Sequence, residues 1–252
     1  MRLLNKYQKH ILISLFILVY SISYSFRLQN IDFNQRMDTS DGGYREFYIK
    51  NDNLARQRYK INLLSGDKND GSKFIEIYPK VITIDANSRG IVKVFAKAPK
   101  TTPKGEYNFK LQFQPINIPT LAKQKDGMAA GTSNIGIAPI IDLKGYVGEP
   151  NFKENIQLNN IVVLKNTKGK GIVVKGDLSN NSHASLDFAA EAYGNGEFLY
   201  GTAHVGNVLK NTKSKQIQLV FPMIKDPKDL KKIALYRTPS NVREVIKVID
   251  IK

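Results

Sequence analysis

Residues 134–147 read NIGIAPIIDLKGYV, and their odd-numbered positions form an apolar row broken by one glycine: Ile135, Ile137, Pro139, Ile141, Leu143, Gly145 and Val147. Side chains two apart on a β-strand share a face, so this row lies along one side of a predicted strand. Prolines within sheets are confined to edge strands, strand starts and bulges. The stretch therefore predicts an edge strand, whose apolar face serves either the protein's own core or a partner.

Strand-like stretches also fill the region before this segment. They are rich in β-branched and aromatic residues with a rough two-residue alternation, and turn-like stretches such as SGDKNDGS at 65–72 and KTTPKG at 100–105 separate them. The pattern is lost between Pro115 and Ser133. A loop of this length is usually functional or disordered, and this one leads directly into the apolar row.

A second series of strand-like stretches begins after Gly148-Glu149-Pro150, with KGKG at 168–171 and GNG at 194–196 as predicted hairpin turns. Only DPKDLKK at 226–232 is expected to form a helical turn. Regular short strands with turn signals are typical of antiparallel sandwiches. The sequence thus predicts an all-β fold of two tandem β-sandwich domains, residues 26–150 and 151–252.

The N-terminus has the features of an export signal. Arg2, Lys6 and Lys9 precede the apolar run ILISLFILVY, and the small residues Ser23 and Ser25 predict cleavage before Phe26. Residues 1–25 are therefore predicted to be a signal peptide. The alternative is an uncleaved N-terminal membrane anchor. Both alternatives place the remaining chain outside the cytoplasm, where the absence of cysteine leaves burial as its source of stability.

The charge of the chain is strongly positive, at +16, and removing the three basic residues of the signal leaves 16 − 3 = +13. The lysines are scattered among polar loop residues and accompany no nucleic-acid-binding motif, so nucleic acid is not an expected partner. Two uses of the charge remain open. Either the lysines are solvated side chains on strand faces and loops, or the positive charge lets the protein bind an anionic envelope or an acidic partner.

Catalytic and metal-binding patterns are not found in the sequence. The two histidines after the signal, His183 and His204, stand alone in strand or turn contexts, and the chain contains no nucleophile elbow, phosphate loop or zinc-protease motif. We therefore expect no enzymatic activity, no catalytic residue, no bound metal, no cofactor and no small-molecule substrate.

The N-terminal half resembles the first domain of the periplasmic chaperones that assemble pili with an outer-membrane usher. The similar features are IKNDN at 49–53, FIEIYPKVITIDANSRGIVKVFAKAP at 74–99, PKGEYNFKLQFQP at 103–115, the long loop and the apolar row. The resemblance covers about residues 26–150 and implies two immunoglobulin-like domains. It also implies a non-enzymatic chaperone whose partners are pilus or fimbrial subunits and an usher.

The resemblance implies a role for particular residues as well. Chaperones of this family lend an edge strand to a subunit that lacks one, so that alternate side chains enter the subunit's groove. Here the lent residues would be Ile135, Ile137, Pro139, Ile141 and Leu143. The family anchors the subunit's terminal carboxylate with an arginine and a lysine, and Arg36 and Lys144 are the positional matches.

A second function is compatible with the same residues. The chain would then be a secreted or membrane-anchored two-domain adhesion or surface-binding protein, in which the apolar row is ordinary core and the positive charge meets anionic polymers. Exposure of Ile135 and Ile137 separates the two hypotheses. A chaperone presents these two side chains on an accessible edge, whereas an adhesin buries them.

Overall fold

The computed structural model describes residues 26–29, 31–53, 55–116, 138–238 and 244–251. The predicted signal peptide or anchor at 1–25 lies outside these residues, as do Ile135 and Ile137 of the apolar row. Across the parts of the chain that are described, no helix has the length and apolar character needed to cross a membrane.

The described residues of the first half form two antiparallel four-stranded sheets. Their strand orders are β1-β2-β6-β4 and β5-β3-β7-β8. The strands are β1 (Phe26–Gln29), β2 (Gly43–Asn51), β3 (Gln57–Ser65), β4 (Ile75–Tyr78), β5 (Val81–Ile84), β6 (Arg89–Ala96), β7 (Gly105–Ile116) and β8 (Ile140–Val147).

The alternation in the sequence decides which faces of these strands are buried. In β6, Val92, Val94 and Ala96 are buried, whereas the residues between them are exposed. The chain crosses from one sheet to the other at Pro79, because β4 pairs with β6 and β5 pairs with β3. A proline cannot donate a ladder hydrogen bond, so it suits a break between strands.

In the second half, the residues that the structure describes also form two antiparallel sheets, in the orders β13-β10-β9 and β12-β11-β14-β15. A short helix, α1 (Phe152–Asn155), leads into the first of these strands. The strands are β9 (Ile156–Lys165), β10 (Ile172–Asn180), β11 (Leu186–Tyr193), β12 (Leu199–Val208), β13 (Thr212–Phe221), β14 (Lys232–Thr238) and β15 (Val245–Asp250).

The buried apolar residues form two clusters, one in each half of the chain. The N-terminal cluster runs from Phe33 to Val147, and the C-terminal cluster runs from Tyr146 to Ile246. Neighbouring residues of β8 therefore belong to different clusters. Leu143 and Val147 pack into the N-terminal cluster, whereas Tyr146 packs into the C-terminal one, so β8 joins the two halves.

The predicted fold class is confirmed: the chain is all-β and forms two sandwiches. The KGKG and GNG stretches connect β9 to β10 and β11 to β12, and both pairs are adjacent in their sheets. DPKDLKK contains one 3-10 turn at Pro227–Asp229, but the expectation that only this stretch of the second half is helical is wrong, because α1 and a 3-10 turn at Asn195–Glu197 also form. The strand pattern ends later than the sequence predicts, because β7 continues through Pro115 to Ile116. We keep 26–150 and 151–252 as the proposed domains.

Leu143 and Ile140 provide a matched test of the packing of β8. Leu143 is 3% exposed, whereas Ile140 is 52% exposed. Replacing a fully buried leucine by alanine costs about 2–5 kcal/mol, and a substitution on an exposed face usually changes stability by less than about 0.5 kcal/mol. Urea unfolding should therefore show a large loss for Leu143→Ala and little change for Ile140→Ala. Equal losses for the two variants would contradict this placement of β8.

Candidate functional site

Strand β8 is an edge strand, as its proline predicted. It pairs with β7 on one side, from Gly105 opposite Val147 to Gln112 opposite Ile140. Pro139 lies just before the strand, and its carbonyl oxygen accepts a hydrogen bond of 3.0 Å from the Phe113 N–H. The proline therefore stands at a strand start, where its missing N–H leaves no gap in the ladder.

The backbone groups of β8 alternate between the two edges of the strand. In an antiparallel ladder every second residue exchanges hydrogen bonds with its partner, and Phe113 with Pro139 is such a pair. Ile141 and Leu143 therefore bond toward β7, and the N–H and C=O groups of Ile140, Asp142 and Lys144 point to the other edge. Within the described residues, these outward groups have no backbone partner.

The far end of this edge is covered by the segment Gln35–Met37. The Tyr146 N–H donates to the Gln35 carbonyl at 2.9 Å, and the Met37 N–H donates to the Tyr146 carbonyl at 2.8 Å. Gly145 permits this approach, since a side chain there would clash with Met37. The open edge of β8, from Ile140 to Lys144, therefore ends where Gln35–Met37 begins to pair.

The predicted donor residues fall into three groups. Ile135 and Ile137 lie outside the described residues. Pro139 and Ile141 are half-buried, and Ile141 packs against the N-terminal cluster. The expectation that Leu143 is lent to a partner is wrong for the folded chain, because this side chain is buried in the N-terminal cluster. All odd-numbered side chains of β8 point toward the core; Ile141 is half-buried there, whereas Leu143 and Val147 are buried.

Arg36 lies opposite Tyr146 in the short parallel bridge between Gln35–Met37 and β8. Its guanidinium contacts two carboxylates, with 2.8 Å between Nε and Asp38 Oδ1 and 2.6 Å between one terminal nitrogen and Glu149 Oε2. The hydrogen bond to Asp38 raises the pKa of Arg36 and is the largest cause of the lowered pKa of Asp38. The Gly148 N–H also donates to Asp38.

The two carboxylates differ in how firmly they are held. The Asp38 side chain is 13% exposed, whereas the Glu149 side chain is 60% exposed. An ion pair with an exposed partner contributes little to stability, typically below about 1 kcal/mol. Asp38 thus fixes the guanidinium, and Glu149 can leave it at low cost.

Lys144 lies two residues before Tyr146 on the same face of β8, opposite to the face of Leu143. Its Nζ is 3.4 Å from Asn207 Oδ1 on β12, so the side chain points toward the second sandwich. The structure therefore brings Arg36 and Lys144 to the same end of β8, where the two sandwiches meet. Glu149 and Asn207 are their respective partners.

Arg237 on β14 completes this junction, and sequence reasoning missed it. Its guanidinium carbon lies 5.6 Å from the ring centre of Tyr146 and 6.0 Å from that of Phe152, and the two rings meet edge to face. It also donates to the Asn34 carbonyl. Burial raises the pKa of Tyr146. No sequence signal could have found this contact, because it joins residues about 90 and 200 positions apart.

Two further contacts connect the sandwiches. Glu106, the acid of the GEY stretch, is buried and accepts a hydrogen bond of 2.6 Å from the Ser185 N–H. His183 Nε2 lies 3.0 Å from the Val147 carbonyl, and burial lowers the pKa of this imidazole. His183 and Glu106 thus hold the second sandwich to the β7–β8 pair, one through each strand.

The histidines and acids in the described part of the chain form no candidate metal site. No group of three or more histidines, cysteines or acids lies in a metal-binding arrangement among those residues. His204 lies on β12 opposite Ala189, apart from His183. The site is accordingly a strand edge with cations at one end.

Comparison with known proteins gave matches among solved structures. No protein-family model and no curated protein matches the sequence. The Pseudomonas aeruginosa CupB2 chaperone is 10% identical, with 86% of this chain and 97% of that chain covered and a TM-score of 0.41. The E. coli chaperone DraB is 12% identical, with 90% of this chain and 96% of that chain covered and a TM-score of 0.40.

A further match comes from the CsuC–CsuE chaperone–tip adhesion subunit pre-assembly complex of Acinetobacter baumannii. The matched chain is 16% identical, with 90% of this chain and 97% of that chain covered and a TM-score of 0.37. These matches make the chain similar, along most of its length, to solved structures that are described as chaperones or as a complex containing one.

Proposed function

We propose that this protein is a periplasmic chaperone for pilus or fimbrial subunits that lends the open edge of β8 to one of them. One observation carries the proposal. The backbone groups of Ile140, Asp142 and Lys144 point away from β7 and have no backbone partner within the described residues. The order of the motifs in the N-terminal half, which resembles that of pilus chaperones, supports the same role.

Strand addition at this edge gives the open backbone groups of β8 hydrogen-bond partners and gives the subunit the strand that it lacks. An incoming strand exchanges main-chain hydrogen bonds with the three outward residues, and alternate side chains of the lent strand supply apolar contacts. Since Leu143 is used by the protein's own core, the lent row consists of Ile135, Ile137, Pro139 and the exposed part of Ile141. Each fully transferred isoleucine contributes roughly 1.5–3 kcal/mol before the cost of ordering.

Arg36 and Lys144 form the anchor for the terminal carboxylate of the pilus protein in this proposal. Lys144 lies at the end of the open edge, and Arg36 lies just beyond it. Glu149 occupies one terminal nitrogen of Arg36, through an exposed side chain. A partner's carboxylate displaces Glu149, while Asp38 keeps the guanidinium in position.

The remaining parts of the proposal follow from the N-terminal segment and the chemistry of the site. Residues 1–25 direct export, so the chaperone works in the periplasm, either free or anchored to the inner membrane. In this proposal the chaperone acts by binding a pilus or fimbrial subunit, and it needs no catalytic residue or cofactor. An outer-membrane usher receives the complex of chaperone and pilus protein.

A pair of substitutions tests the lent row. Ile135→Asp with Ile137→Asp should abolish capture of a pilus subunit from the same organism, because charged side chains cannot enter an apolar groove unpaired. The thermal melt should remain native-like. Ile91→Asp is the matched control, since this exposed side chain lies on β6, in the other sheet of the first sandwich, and it should retain capture.

The same experiment distinguishes the adhesion hypothesis. If the apolar row is ordinary core, a buried unpaired carboxylate costs several kcal/mol and the double variant unfolds at a much lower temperature. A collapse of the melt would therefore reject the chaperone proposal.

The anchor is tested with two forms of a synthetic peptide that has the C-terminal sequence of a pilus protein, one form ending in a carboxylate and the other in an amide. Isothermal titration should show tighter binding of the carboxylate form, and Arg36→Ala or Lys144→Ala should remove the difference.

Glu149→Gln should instead strengthen binding of the carboxylate form, by up to about fivefold, because it removes a competing exposed ion pair. Equal binding of both peptide forms by the unsubstituted protein would reject the anchor.

A further inference from the structure

The outer face of the β13-β10-β9 sheet carries an apolar patch at one end. Val173 lies in the central strand, directly between Leu164 on β9 and Val220 on β13, and Val162 lies two residues before Leu164 on the same face. Val162, Leu164 and Val220 are 48%, 45% and 42% exposed. Residues opposite each other in a sheet share a face, so these three exposed side chains lie around Val173, which is itself 7% exposed and therefore buried between them.

Two loops at this end of the sheet extend the patch. The β9–β10 turn, residues 166–171, and the segment 222–225 after β13 are held together at Gly171, which packs so closely on Phe221 and Pro222 that a side chain would collide with both. In the second segment Ile224 is fully buried, whereas Met223 is 71% exposed. A buried isoleucine thus fixes a loop that presents a methionine to solvent.

Lysines surround these apolar side chains. Residues 162–171 and 220–225 contain Lys165, Lys168, Lys170 and Lys225 and no acidic residue, and all four lysines are exposed. We define the four lysines, Met223 and the apolar patch as the basic end. Exposed apolar patches with a polar rim mark interaction sites, and several lysines beside apolar side chains suit an anionic lipid surface.

We propose that the basic end binds the surface of a membrane that contains anionic lipids. The lysines lie at the level of the headgroups, and Met223 with Leu164 and Val220 enters the boundary between headgroups and acyl chains. The basic end lies in the second sandwich and shares no residue with β8 or the anchor. It is therefore independent of the proposed function, and β8 can hold a pilus protein while the basic end rests on a bilayer.

Co-sedimentation with lipid vesicles tests this proposal, using protein that starts at Phe26 because both apolar clusters lie after that residue. The protein should sediment with vesicles of phosphatidylglycerol and phosphatidylcholine but not with phosphatidylcholine alone. A lysine near an anionic surface contributes about fivefold to binding. Lys168→Glu with Lys170→Glu should therefore weaken binding by at least about 25-fold. High salt should weaken it as well.

Lys97→Glu with Lys100→Glu is the matched control, because it makes the same change in net charge at exposed positions of the first sandwich. It should change binding much less. Met223→Ser should reduce binding severalfold while its salt dependence persists. Each variant is first shown to melt like the unsubstituted protein, and each should still capture the pilus protein, so failure here and failure of the chaperone proposal are distinguishable.

Three results would overturn the proposal. Equal losses in the two lysine pairs would indicate an attraction that depends on net charge alone. Equal binding to neutral vesicles would exclude recognition of anionic headgroups. A dimer in vesicle-free solution that Lys168→Glu with Lys170→Glu converts to a monomer would assign the basic end to contact between two copies of the chain.

Discussion

The antiparallel ladder between β7 and β8 is the constraint on which the site depends. Because side chains and backbone groups both alternate along a strand, this ladder sorts the residues of β8 into two sets. Leu143 bonds toward β7 and points into the core, whereas Lys144 presents its backbone at the open edge and its side chain to the second sandwich. Strand β8 thus packs into the core of the first sandwich, leaves one of its edges unpaired from Ile140 to Lys144 within the described residues, and contacts the second sandwich.

The junction between the sandwiches determines what can lie at the end of that edge. Gln35–Met37 pairs with Tyr146 and ends the open stretch, and it carries Arg36 to the same place. Arg36 is held by the shielded Asp38 and by the exposed Glu149. The proposed exchange of Glu149 for a partner's carboxylate depends on this difference in exposure, because an exposed ion pair contributes little to stability.

Much of this fold can be predicted from the sequence, because a two-residue alternation and turn residues are local signals. The hairpins at 168–171 and 194–196 and the edge position of β8 are of this kind. The burial of Leu143 could not be predicted in this way. The alternation places Leu143 on the same strand face as Ile135, but it does not show which residues of that face the opposing sheet covers. The contacts of Arg237 and Glu149 join distant parts of the chain, and no local pattern encodes them.

Residue-resolved amide hydrogen exchange by NMR tests the central claim most directly, in the free protein and in a complex with a pilus subunit. In the free protein the amides of Ile140, Asp142 and Lys144 should exchange rapidly, and those of Ile141 and Leu143 should be protected by their bonds to β7. Binding of the pilus protein should slow the first three and leave the other two protected. Unchanged rapid exchange of Ile140, Asp142 and Lys144 in a complex that demonstrably forms would contradict strand addition at this edge.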